Sequence, residues 1–177
     1  MLKEIKISDF SRCSLPIAVI ASKYNDAFVQ GLLDGVEDTL NRAKMSDKDV
    51  VLIRVPGAYE IPVMAGKVAR CQTPPFGAII CLGVVIEGEN EHARLITEAV
   101  TFELAKLQAD HGLPIVHEVL LVKSEEQARA RCLDEKHNRG REAAQTALEM
   151  ALLVETFDEK FSLKGSEEPR FNDRTEH

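Results

Sequence analysis

The 177-residue sequence predicts an α/β fold, a three-layer α/β/α sandwich around a central parallel sheet of about four strands. Runs such as Ala78-Ile79-Ile80-Cys81-Leu82-Gly83-Val84-Val85-Ile86 are apolar at every position, as strands buried on both faces are. Between these runs lie segments whose apolar residues recur at helical spacing. The two kinds alternate along the chain, which is the pattern of βαβ units.

Residues 1–16 read as an irregular N-terminal arm ending at Pro16. Ile17-Ala18-Val19-Ile20-Ala21 is a short buried strand, and Phe28, Leu32, Leu33, Val36 and Leu40 place a helix after it, to about Ala43. Val50-Val51-Leu52-Ile53-Arg54-Val55 is a second strand, stopped by Pro56-Gly57. A helix from about Ile61 to Arg70 precedes the third strand, and a long helix from Glu91 to about Ala109 follows it. Pro114–Val122 is the fourth strand. Ser124 then caps a short helix, with Glu126 one residue short of capping-box register. The last helix spans about Gly140 to Thr156. These elements make one domain over 17–157, and the polar stretch 158–177 is expected to be a disordered tail.

A hydrophobic fraction of 45% and a net charge of −7 describe a soluble globular protein. The acidic balance argues against broad binding of nucleic acid or anionic membranes, and the scarcity of aromatic residues argues against a stacking platform for single strands. Cys13, Cys71, Cys81 and Cys132 lie far apart without a CxxC pair, which favours reduced thiols over disulfides or metal. Met1-Leu2-Lys3-Glu4-Ile5-Lys6 lacks the apolar region of a secretory signal, so a cytoplasmic location is expected.

In doubly wound sheets, ligands gather at the carboxyl ends of the strands. The chemistry-bearing residues fall there: Ser22-Lys23-Tyr24-Asn25, Pro56–Glu60 and Glu87–His92. In the last of these, Gly88 gives the backbone freedom to turn, Asn90 is suited to cap the next helix, and His92 falls in its first turn. First-turn N–H groups are unpaired and suit a phosphate. A histidine beside an anion site is an arrangement for proton transfer.

The block Arg54-Val55-Pro56-Gly57-Ala58-Tyr59-Glu60-Ile61-Pro62, followed by Leu82–Gly88 and His92, resembles the 6,7-dimethyl-8-ribityllumazine synthase family. The order continues with Glu126-Gln127-Ala128, Arg131, Asn138-Arg139-Gly140 and Ala147–Ala151, so the resemblance runs from about Ile17 to about Thr156. It implies a flavodoxin-like version of the sandwich. It also implies a transferase that condenses 5-amino-6-(D-ribitylamino)uracil with 3,4-dihydroxy-2-butanone 4-phosphate in riboflavin synthesis.

By that resemblance, Tyr24 stacks on the pyrimidinedione, and Ala58, Tyr59, Glu60, Val84, Val85, Ile86 and His117 complete the ribitylaminouracil subsite. Gly88, Glu89, Asn90, Arg131 and Arg139 hold the phosphate, and His92 moves protons. Each has a plainer reading: Tyr24 and His92 as surface residues, Glu60 as a cap, and Arg131 as part of a solvated basic face with Arg129 and Lys136. The sequence departs from the family at Glu87, where a basic residue is usual, and at Asn90, where threonine is. Ala93-Arg94 stands for an aromatic and an Asp, and His117-Glu118 for Phe-Gly. Glu91 adds negative charge beside the phosphate site unless it faces solvent. His117 is either a flat ring against the heterocycle or a satisfied core histidine, with equal claim.

No metal or organic cofactor is implied, and no metal-ligand spacing appears. The family implies a homo-oligomer, a pentamer or multiple of pentamers in which His117 and Arg131 reach the neighbouring subunit's site, with riboflavin synthase as a further partner. An alternative is a catalytically weak paralogue that binds a lumazine- or flavin-like ligand or serves as an assembly subunit. A generic phosphoacceptor or nucleotide domain is a third reading, but Ser22-Lys23-Tyr24 offers neither an acidic cluster nor a glycine-rich loop.

Overall fold

The computed structural model describes residues 14–161 apart from Gln72 and Pro74. Residues 1–13 of the expected arm, with Cys13, and residues 162–177 of the expected tail lie outside the described residues. The described elements are β1 (Ile17–Ser22), α1 (Asp26–Arg42), β2 (Val50–Val55), α2 (Ile61–Ala69), β3 (Ala78–Ile86), α3 (His92–His111), β4 (Ile115–Val122), α4 (Glu125–Cys132) and α5 (Arg139–Phe161). Single 3₁₀ turns at Asp47–Asp49 and Ala58–Glu60 lead into β2 and α2.

The four strands form one parallel sheet in the order β2-β1-β3-β4. Alternate residues of β1 enter opposite cores. Ile17, Val19 and Ala21 meet α1 and α5, while Ala18 and Ile20 lie with Ile61, Ala65 and Val68 of α2 and Val100 and Leu104 of α3. Helices α1, α4 and α5 therefore cover one face and α2 and α3 the other. This is the expected three-layer, flavodoxin-like sandwich.

The element boundaries have local causes. Helix α1 begins at Asp26, earlier than apolar spacing suggests, because Asn25 adopts a left-handed conformation (φ 54°) that turns the chain sharply out of β1. Asn tolerates that region better than most side chains. Helix α3 runs on to His111 and stops at Gly112, whose φ of 60° is the usual left-handed helix terminator. At α4, Ser124 accepts from the Gln127 amide at 3.2 Å, and the Gln127 side chain accepts from Lys123 N at 2.7 Å. Gln127, not Glu126, thus completes the cap. Helix α5 continues through Phe161, past the expected Thr156, with the Phe157 and Phe161 rings 4.9 Å apart on its last turns.

Candidate active site

The sheet order reverses between β1 and β3: the chain goes from β1 to β2 on one side, then returns to β3 on the other. Strand exits diverge at such a point and leave a crevice. A cleft of about 700 Å3 opens there, lined by Tyr24, Asn25, Gly57, Ala58, Tyr59, Glu60, Val84, Val85, Ile86, His92 and Ile96. The residues expected for the ribitylaminouracil subsite, except His117, and the expected proton carrier share this one wall.

The rim is built by backbone and side-chain ties. Lys23 N donates to Val55 O at 2.9 Å, which joins the β1 exit to the end of β2. Arg54 donates to Ser22 O at 3.1 Å and pairs with Asp26, fixing the start of α1. Asn25 Nδ2 donates to Val84 O at 2.8 Å, bridging the crevice from β1 to β3. Asn25, Gly57 and Ile96 are cleft residues to which the site expectations assign no role. A polar residue straight after a strand was the available signal for Asn25. Ile96 carried none beyond helical apolar spacing.

Tyr24 is 75% exposed, so its ring face is open to a flat ligand. Glu60 Oε2 accepts from Gly57 N at 2.8 Å, which makes the carboxylate a cap for its own turn as well as part of the cleft wall. A carboxylate oxygen accepts more than one hydrogen bond, so the two roles are compatible. Beneath the rim, the Ser22 hydroxyl is buried and has no hydrogen-bond partner among the described residues.

His92 is the first residue of α3. The capping position belongs to Glu91, one residue later than expected, and the Asn90 side chain accepts from His92 N at 3.2 Å. Asn90 therefore already satisfies one of the first-turn N–H groups. Gly88 is not in the left-handed region, and a Cβ built there meets nothing within 4 Å. Its role is an unobstructed turn, not a special backbone angle. Glu91 accepts from Arg94 Nε at 2.6 Å and is 72% exposed, so its charge is drawn along the helix surface toward a cation. Arg94 also reaches Glu98 at 2.9 Å.

The remaining expected residues sit elsewhere in the chain. His117 lies within β4 opposite Cys81, well below the carboxyl rim, on the α3 side. Its Nε2 is 2.9 Å from Thr101 Oγ1, and Thr101 itself donates to Thr97 O at 2.7 Å. With the threonine hydrogen so used, the ring is the donor, which selects the Nε2–H tautomer. Burial pushes the His117 pKa below the usual histidine range, with a weaker opposing backbone hydrogen bond. Within one chain His117 is thus a satisfied, half-buried histidine. Arg131 is exposed on α4, and Arg139 opens α5 in ion pairs with Glu118 and Glu142. None of the three lines the cleft of the same chain.

A family model for 6,7-dimethyl-8-ribityllumazine synthase matches residues 14–155. The chain belongs to that family. The match spans every strand and all but the last residues of α5, and so it covers both the cleft and the β4–α4–α5 cluster. For a lumazine synthase family member, the Asn138-Arg139-Gly140 segment has a clear physical role. Asn138 is buried, donates to Gly31 O at 2.8 Å and Cys132 O at 2.6 Å, and accepts from Gly140 N at 2.8 Å. It joins α1, the end of α4 and the start of α5. A Cβ at Gly140 would collide with Leu32 O, and one at Gly35 with Asn138 Oδ1, so both positions need glycine for close approach. Among the described residues, no group of His, Cys, Asp and Glu is arranged to hold a metal ion, and no helix is long and apolar enough to cross a membrane.

Proposed function

We propose that the protein is a 6,7-dimethyl-8-ribityllumazine synthase, condensing 5-amino-6-(D-ribitylamino)uracil with 3,4-dihydroxy-2-butanone 4-phosphate. The observation that carries this reading is the convergence of Tyr24, Ala58, Tyr59, Glu60, Val84–Ile86 and His92 on one cleft in a chain of that family. The open Tyr24 ring suits a pyrimidinedione, and the 57–60 turn with its carboxylate suits a polyol. The Gly88–Glu91 turn and Arg131 hold the phosphate.

The arylamine attacks the ketone carbonyl and water leaves as a Schiff base forms. Elimination then expels inorganic phosphate, and the second amine closes the ring with loss of another water. Orientation of two small reactants supplies much of the rate, and His92 shuttles the protons that each step demands. Because Arg131 and His117 stand outside their own chain's cleft, we place them at the cleft of an adjacent subunit in a pentamer or multiple of pentamers.

A catalytically weak relative that binds a lumazine- or flavin-like ligand or serves as an assembly subunit is the second reading, favoured by the departures from the family pattern at Glu87, Asn90, Glu91 and His117. The test is a coupled assay with both substrates, following lumazine absorbance and phosphate release together. Stoichiometric appearance of both products supports the synthase. Tight ligand binding without turnover supports the weak relative.

A further inference from the structure

Beside β4, the structure gathers a buried carboxylate and two guanidinium groups. Glu118 is only 5% exposed. Its Oε1 accepts from Arg139 Nε at 2.8 Å and its Oε2 from Arg139 Nη2 at 3.5 Å. The third nitrogen, Nη1, donates to Glu142. Every nitrogen of the Arg139 guanidinium is therefore turned toward a carboxylate. Arg131, on the neighbouring α4, makes no direct ion pair or hydrogen bond among the described residues and only feels the Glu118 charge at longer range.

The two cations are thus not equivalent. An anion that drew Arg139 away would leave Glu118 buried without its counter-ion, which costs far more than an exposed contact returns. Arg131 can accept an anion without breaking anything. Glycine, the residue usual at position 118 in the family, would impose no such claim on Arg139. We propose that Glu118 is a specificity-determining residue: it holds Arg139 as a structural counter-ion and leaves Arg131 as the one guanidinium of the pair that takes the substrate phosphate. This rests on the proposed synthase function.

The experiment is calorimetric titration of the assembled protein with inorganic phosphate, alongside turnover of both substrates by each variant. Glu118→Gln keeps the side-chain size but removes the charge, and it releases Arg139 as a second ligand. Phosphate should then bind about tenfold more tightly, the scale of one charge-assisted hydrogen bond. KM for the butanone phosphate should fall while KM for the uracil stays. Arg131→Ala should weaken phosphate about tenfold or more, and adding Glu118→Gln to it should restore most of the loss. A gain that persists in Glu118→Gln/Arg139→Gln would come from the lost Glu118 charge alone and would overturn the proposal.

If Glu118→Gln does not assemble, the double variant Glu118→Gln/Arg139→Gln removes both charges and leaves none buried alone. Its phosphate affinity should stay within about twofold of the parent, since no ligand is lost. A loss of about tenfold would make Arg139 a ligand and overturn the proposal. So would unchanged phosphate affinity in a folded Glu118→Gln protein. An unmodified protein that neither binds phosphate nor turns over the substrates overturns the functional reading itself. Turnover without the predicted gain overturns only the role of Glu118.

Discussion

At the scale of single residues, His92 and His117 show how position decides what a histidine does. His92 is exposed at the head of α3 and lines the cleft, so its ring is open both to the cleft and to solvent. His92→Ala should slow lumazine formation at least about tenfold with the fold intact, as loss of a general acid/base does. Unchanged turnover in a well-folded variant would remove His92 from the mechanism. His117 is instead held by Thr101, and its burial favours the neutral ring. Its folded pKa lies below the unfolded value of about 6.5, so its contribution to stability is present above that pH and lost as pH falls through the depressed folded value. His117→Phe, which cannot titrate, should show a shallower loss of urea midpoint between neutral and mildly acidic pH. Equal slopes for the two proteins would mean that another group carries the acid sensitivity.

At the scale of elements, the strands were legible because buried parallel strands are apolar at consecutive positions, as Ala78–Ile86 is. Helix ends were less so. Asn25 and Gln127 decide two of them through a backbone conformation and a side-chain bond that composition does not reveal. The tertiary role of Asn138 was equally hidden, since its partners Gly31 and Cys132 are distant or unmarked in sequence. Asn138→Ala should cost roughly 2–4 kcal/mol, because two buried carbonyls and the α5 amides lose their partner at once. Asn138→Asp should be worse, since it turns a carboxylate oxygen toward the Gly31 and Cys132 carbonyls. Denaturant unfolding of the two variants checks both. A cost for Asn138→Ala of less than about 0.5 kcal/mol would show that water replaces the amide freely.

At the scale of the whole molecule, the expected site residues divide into two groups that one chain does not bring together. The cleft residues come from the exits of the first three strands, and most were legible because the 54–62 and 82–92 blocks carry them. The family resemblance, not sequence order, carried the expectation that His117 and Arg131 reach a neighbouring subunit's site, since order alone says nothing of which edge of a sheet a residue occupies. The surface offers a route to reunite them. The α5 run Ala143–Val154 is largely spent in the chain's own core, with Ala143, Ala144, Ala147, Leu148, Ala151 and Leu152 buried. Helix α3 differs: Leu95 and Phe102 are 57% and 68% exposed, and Leu121 of the edge strand β4 is exposed near Phe102. Apolar side chains left outward beside an edge strand are what a subunit interface covers. A ring that joins this β4 edge to a neighbour's cleft would make each site the work of two chains. Mixing inactive His92→Ala subunits with inactive Arg131→Ala subunits, under conditions of proven exchange, should then restore part of the activity. Some interfaces would pair an intact His92 with an intact Arg131 from the neighbour, whereas sites confined to one chain would gain nothing. No recovery after exchange, or full activity in a monomer, would show that each chain completes its own site.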